Sequence, residues 1–175
     1  NCEFFNGSPY AESKSNYSKW LLKRERFDGL NFINVYFSNH ESNFRGNSFL
    51  SYRVCKHIKL ILDGQKPFRK LQLKNTNFWC DWGCAHEYMA TLLNSNFLHK
   101  SQNRHLTFAT GHTVNGAKFL FELYENYGLN FNDLVLSDVE CETENFTVST
   151  RDLAEMNFLP EKKAMQVFSE IINKI

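Results

Sequence analysis

The sequence predicts an α/β fold, and three observations carry that expectation. Apolar residues alternate along the chain between helical spacing and short β-branched or aromatic runs, the mixed order that characterises the class. No long Pro-, Gly- or Ser-rich linker, internal repeat or low-complexity tract interrupts the 175 residues. Hydrophobic residues at 42% and charged residues at 22% describe a chain able to bury a core. A length of this kind suits one ordinary domain, which buries roughly 70% of its unfolded surface.

Each element follows from local pattern. Ser8 to Phe27 reads as a helix ending in Asp28-Gly29, and Leu30 to Phe37 (LNFINVYF) as a buried strand. Ser38 to Asn47 reads as an irregular polar loop. Phe49, Leu50, Val54, Ile58, Ile61 and Leu62 then repeat at helical spacing until Gly64 supplies a stop. Lys70 to Leu73 is expected as a short strand, Ala85 to Leu93 as a helix and His105 to Ala109 as a strand. Thr113 is expected to cap a helix whose face carries Val114, Ala117, Leu120, Phe121 and Tyr124, with Gly128 ending it. The last helix has the clearest stripe: Ala164, Val167, Phe168, Ile171, Ile172 and Ile175 share one side, with Glu161, Lys162, Lys163, Glu170 and Lys174 elsewhere.

Composition narrows the function classes. Twenty Lys and Arg against 19 Asp and Glu leave a net charge of +1, which gives no general electrostatic reason to bind nucleic acid or an anionic membrane. No apolar run approaches the ~18 residues of a membrane span. The 8 glycines stand singly and form no GxGxxG, so these residues hold no glycine loop of the kind that cradles nucleotide phosphates. Five cysteines, an odd number with no secretory signal before them, favour reduced thiols and a cytoplasmic protein. Cys80 and Cys84 are spaced CxxxC without the second pair a zinc site needs, and no metal is expected. The sequons at Asn6, Asn16 and Asn145 matter only in a secreted chain.

Several stretches read better as structure than as sites. Gly111 to Lys118 approaches a P-loop, but Ala117 displaces the lysine and no Ser or Thr follows it. Lys56, His57, Lys59, Lys66, Arg69, Lys70 and Lys74, with Phe68 nearby, form a mildly basic region that a solvated helix face explains. Glu140-Cys-Glu-Thr-Glu144 reads as a polar turn rather than a cation site.

Tyr10-Ala-Glu-Ser-Lys14 has more chemical content. Residues at i and i+4 share a helical face, so the Lys14 ammonium can sit near the Tyr10 phenol, favour phenolate and make the tyrosine a usable base. Asn39 and His40 follow directly after a buried strand, where open α/β sheets bind ligands. Arg45 offers the planar fork that fits phosphate.

These motifs, in order, resemble the extended short-chain dehydrogenase/reductases, and more narrowly the GDP-mannose 4,6-dehydratase family. The resembling blocks are Ser8-Pro9-Tyr10-Ala11 with Lys14, Asn39-His40-Glu41-Ser42 with Arg45-Gly46, Phe49-Leu50, Asp81-Trp82-Gly83 with Ala85 and Tyr88, Ala109-Thr110-Gly111, and Leu153 to Pro160. The resemblance implies that Tyr10 takes the proton of the sugar 4-hydroxyl while hydride passes from C4 to NADP. Water is then lost across C5 and C6, and hydride returns to C6. It implies that Lys14 contacts the nicotinamide ribose, that His40 and Arg45 contact NADP, and that Asn39 lies near the diphosphate of GDP-mannose. Where the family has arginine before Asp-Trp-Gly this chain has Cys80. Phe44 replaces the first of two arginines, and Tyr52 replaces a basic residue beside Arg53, which keeps one charge for the substrate. The segment Ser137 to Thr147 lacks the family's arginine-containing stretch.

In the family the glycine loop and the catalytic threonine and glutamate precede the YxxxK helix. The chain is therefore expected to be the C-terminal part of a Rossmann-type enzyme, with residues 1–64 ending the Rossmann core and 65–175 mainly the substrate lobe. It is expected to be inactive alone and homo-oligomeric at full length. The alternatives are a non-catalytic relic or interaction module of the family, or an epimerase or reductase acting on another nucleotide-sugar.

Overall fold

The computed structural model describes residues 8–28, 32–65, 69–94, 105–137 and 145–175. Outside them lie Cys2, Asn6, Gly29, Leu30, Lys66, Phe68 and the acidic stretch Glu140 to Glu144 with Cys141. Helix α1 (Pro9–Asp28) is followed by strands β1 (Asn34–Phe37) and β2 (Asn39–Glu41), separated only by Ser38. Next come α2 (Leu50–Leu62), β3 (Leu71–Leu73), β4 (Trp79–Cys84), α3 (Ala85–Leu93), β5 (His105–Phe108) and β6 (Thr113–Asn115). The chain continues through α4 (Gly116–Glu125), α5 (Phe131–Leu134), β7 (Val135–Ser137), α6 (Arg151–Glu155) and α7 (Ala164–Lys174). The expected α/β class is what is observed.

Among the described residues three ladders are parallel. β1 pairs with β5 in the register Asn34↔His105 to Phe37↔Phe108, β2 with β4 from Asn39↔Trp82 to Glu41↔Cys84, and β3 with β7 from Leu71↔Val135 to Leu73↔Ser137. Among the described residues only β6 runs antiparallel, against the start of β4. Parallel pairing needs crossovers, which the intervening helices supply.

The largest core cluster joins Val54 and Ile58 of α2, Trp82 of β4, Phe119 and Leu123 of α4 and Phe168 and Ile172 of α7. Burying a side chain such as the fully enclosed Phe168 contributes about 1.5–3 kcal/mol. A second cluster gathers Tyr88, Leu106, Phe108, Leu153 and Met156. Gly64 and Gly128 end α2 and α4 at φ of 80° and 69°, the left-handed stops expected of them.

Three elements depart from the sequence expectation. Asn39–Glu41 is a strand rather than loop, because pairing with Trp82–Cys84 satisfies its backbone although no apolar run announces it. β4 was disguised by its Asp and Gly, yet five of its six residues are buried between β2 and β6. Thr113 opens β6 instead of capping a helix; its hydroxyl donates to the Phe146 carbonyl at 2.6 Å. The cap of α4 is Asn115, whose side-chain oxygen accepts from the Lys118 N–H at 3.1 Å. At Gly116 a Cβ would come within 2.7 Å of the Thr76 carbonyl, so only glycine turns strand into helix there.

Candidate functional site

The Tyr10 and Lys14 pair is set by a conventional helix start. The Ser8 hydroxyl accepts from the Ala11 N–H at 3.2 Å and Pro9 takes the first helical position, where a missing N–H costs nothing. One turn later the Lys14 ammonium lies 5.4 Å from the Tyr10 ring centroid, so the two share a face as their spacing predicts. The Tyr10 side chain is 72% exposed and open to a ligand.

Of the remaining candidates, Asn39 and His40 follow the carboxyl end of β1, Arg45 follows that of β2, and Arg53 lies on α2. Asn39 is exposed and half-buried His40 packs its ring 5.3 Å from Phe37 and 6.1 Å from Tyr88, by centroids. His40 Nδ1 lies 2.9 Å from the Ser38 carbonyl. Glu41 is buried and holds Arg45 Nε at 3.1 Å, while the guanidinium lies 3.7 Å over the Phe49 ring. Burial pushes the Glu41 carboxyl above its usual range, against the pull of Ser51, Arg45 and His40. The Glu41–Arg45 contact is an ion pair without hydrogen-bond geometry, and the two outer nitrogens of Arg45 remain for an anion.

Beneath these residues lies a network that motif reading did not assign. Asp81, almost wholly buried, accepts at Oδ1 from the Thr110 N–H and hydroxyl at 2.9 Å each and from the Ser38 hydroxyl at 3.2 Å. Its Oδ2 accepts from the Gly111 N–H at 2.8 Å. Tyr88, fully buried, lies 3.3 Å from the Ser38 oxygen, and burial raises its phenol to about 12. The available signal was an acidic residue inside an otherwise buried strand, which must find several donors.

Two concavities flank this scaffold. A recess of about 180 Å³ is lined by Ser38, Asn39, Asp81, Thr107 and Phe146, among others. A larger groove of about 760 Å³ is lined by Arg53, Gln72, Lys74, Asn75 and Ser137, with Leu50 and Phe78 as apolar wall. Asn39 and Arg53, both linked to substrate, thus line different hollows. Arg53 donates to the Gln72 carbonyl at 2.7 Å. Cys80 points into the core, where burial raises its thiol to about 12. Of the basic region, Lys59 pairs with Asp63 at 2.6 Å and Lys70 donates to the Asn132 carbonyl at 2.7 Å. Among the described residues no three His, Cys, Asp or Glu side chains form a metal cluster, and no helix is long and apolar enough to cross a membrane.

The Lys14 ammonium, His40 Nε2 and the outer nitrogens of Arg45 keep hydrogen-bonding capacity, the first two suited to hydroxyls and the last to phosphate. No glycine cradle for the pyrophosphate occurs in the sequence.

Comparison with known proteins bears on the fold and the family. The chain is similar to RMD from Pseudomonas aeruginosa, solved complexed with NADPH, with a TM-score of 0.79 and 16% identity, over 97% of this chain and 56% of that one. It is similar to dTDP-glucose 4,6-dehydratase from Bacillus anthracis, solved in complex with NAD, with a TM-score of 0.77 and 15% identity, over 97% and 52%. These likenesses establish the Rossmann-type fold of the extended dehydratases and reductases. By sequence it is 30% identical over 135 residues to GDP-mannose 4,6 dehydratase 2 of Arabidopsis thaliana, covering 77% of this chain and 35% of that protein. It is also 30% identical over 130 residues to the GDP-mannose 4,6-dehydratase of Sinorhizobium fredii, covering 72% and 35%. The chain therefore spans about a third of the length of these relatives. A profile of the family described as GDP-mannose 4,6 dehydratase matches residues 2–165, and the chain belongs to that family.

Proposed function

We propose that this chain carries the catalytic tyrosine and part of the ligand-binding surface of an NADP-dependent GDP-mannose 4,6-dehydratase. The observation that carries the reading is the exposed Tyr10 phenol with the Lys14 ammonium 5.4 Å from its ring, inside the stretch matched by the family. Tyr10, held as phenolate by the Lys14 ammonium, accepts the proton of the sugar 4-hydroxyl and becomes the neutral phenol, and Lys14 also meets a ribose hydroxyl. Removal of hydride from C4 and its return to C6 are what NADP supplies when bound. His40 and Arg45 hold that cofactor, with Glu41 fixing the guanidinium so that its outer edge faces phosphate. Relatives of this fold are solved with NADPH and with NAD; the fork of Arg45 supports the phosphorylated form. Asn39 lies toward the diphosphate of GDP-mannose and Arg53 contributes positive charge to the nucleotide groove, with Lys74 beside it. Free, buried Cys55, Cys80 and Cys84 support a reducing, cytoplasmic setting. A homo-oligomer is proposed for the protein at its natural length.

Mass spectrometry tests the reading. Protein with its natural flanking sequence, given GDP-mannose and NADP, forms a product lighter by one water, and Tyr10→Phe lowers the rate by about 10²–10⁴-fold. The 175 residues alone bind NADP negligibly by calorimetry, because the pyrophosphate cradle is not among them; micromolar binding contradicts this. Burial of Cys80 where the family places an arginine favours one second reading, a non-catalytic relic. Absence of water loss under those conditions would select it.

A further inference from the structure

The polar groups under the site form one directed chain of hydrogen bonds. Buried Tyr88 keeps its proton and has room for its hydroxyl because residue 83 is glycine. A carboxylate only accepts, so the Ser38 hydroxyl donates to Asp81 Oδ1 at 3.2 Å and is left to accept from Tyr88 at 3.3 Å. The Ser38 N–H donates to the Phe108 carbonyl at 2.8 Å, so both its backbone and its side chain are clamped. Its carbonyl then meets His40 Nδ1 at 2.9 Å. A carbonyl also only accepts, which places the ring proton on Nδ1 and leaves Nε2 of the neutral ring as an acceptor.

We infer that Asp81 is a positioning residue which, through Ser38, holds His40 as its Nδ1–H tautomer and so makes Nε2 a reader of ligand hydroxyl or amide N–H groups rather than of phosphate. This rests on the reading of His40 as a cofactor contact. A ribose hydroxyl or a carboxamide can donate to Nε2, whereas a fully ionised phosphate presents only acceptors. The tautomer and the specificity follow from the clamp on Ser38, and Thr110 serves the same carboxylate without touching that clamp.

The test is ¹⁵N NMR of the His40 ring in the 175-residue protein, at a pH where the ring is neutral, with His40→Gln assigning the signal. Wild type shows the Nδ1–H tautomer. Ser38→Ala and Asp81→Asn shift the population toward Nε2–H, while Thr110→Val, which removes the hydroxyl's bonds to Asp81 and to the His112 backbone and leaves the Ser38 clamp, does not. An Nε2–H ring in wild type overturns the inference. So does an Nδ1–H ring in all variants, or an equal shift in Thr110→Val. If Asp81→Asn fails to fold, Ser38→Ala against Thr110→Val decides. The measurement involves no cofactor, so its failure is separate from failure of the dehydratase reading, which product analysis reports.

Discussion

A methyl group at Gly83 would overlap the Tyr88 hydroxyl and the ring carbon that bears it. The phenol that reaches Ser38 therefore occupies the space a side chain on β4 would need. Gly83→Ala is expected to destabilise the fold by about 1–3 kcal/mol, the usual range for overpacking a buried position. In a Tyr88→Leu background the same change costs less, because the ring is gone. Urea unfolding of the four proteins in a double-mutant cycle checks this, and additive costs would contradict it.

Glu41 gives the fold a pH signature. Its carboxyl is raised above the ordinary 4.5, chiefly by burial, so folding shifts it toward the protonated form relative to the unfolded chain. The stability it contributes is complete below 4.5 and is lost as pH rises through the raised folded value. Against Glu41→Gln, wild type should therefore gain relative unfolding free energy as pH falls from neutral to that range. Urea midpoints at successive pH values report it, and a flat difference would place the carboxyl outside the buried pocket.

His57 acts in the opposite direction. Burial lowers its pKa from 6.5, its Nδ1 lies 2.8 Å from the Tyr124 hydroxyl, and its Nε2 is enclosed without a partner. The neutral ring is favoured on folding, so its contribution is present above 6.5 and lost as pH falls below that through the lowered folded value. Wild type should lose stability over that window more steeply than His57→Gln. Equal slopes would contradict the buried neutral ring.

Legibility in the sequence tracked where each element's stabilisation originates. α7 and α2 could be read because a one-sided apolar stripe records its own burial, and Tyr10 with Lys14 because helical geometry alone joins them. β2 could not, since Asn-His-Glu becomes a strand only by pairing with β4 more than 40 residues away. The Asp81 network was hidden for the same reason: its bond to Ser38 spans 43 residues and the Ser38 contact with Tyr88 spans 50. Arg45 was recognisable as a phosphate fork, but its anchoring on Glu41 and Phe49 needed the folded turn.

The proposed role of Tyr10 is in a dehydration in which hydrogen leaves C4 of the sugar and returns at C6. The most direct measurement supplies GDP-mannose deuterated at C4, with NADP, to the protein in its natural flanking sequence, and locates the label in the product. The expected product is lighter by one water with deuterium at C6, and almost none of it forms with Tyr10→Phe. A product without the label at C6, or undiminished turnover by Tyr10→Phe, would contradict it.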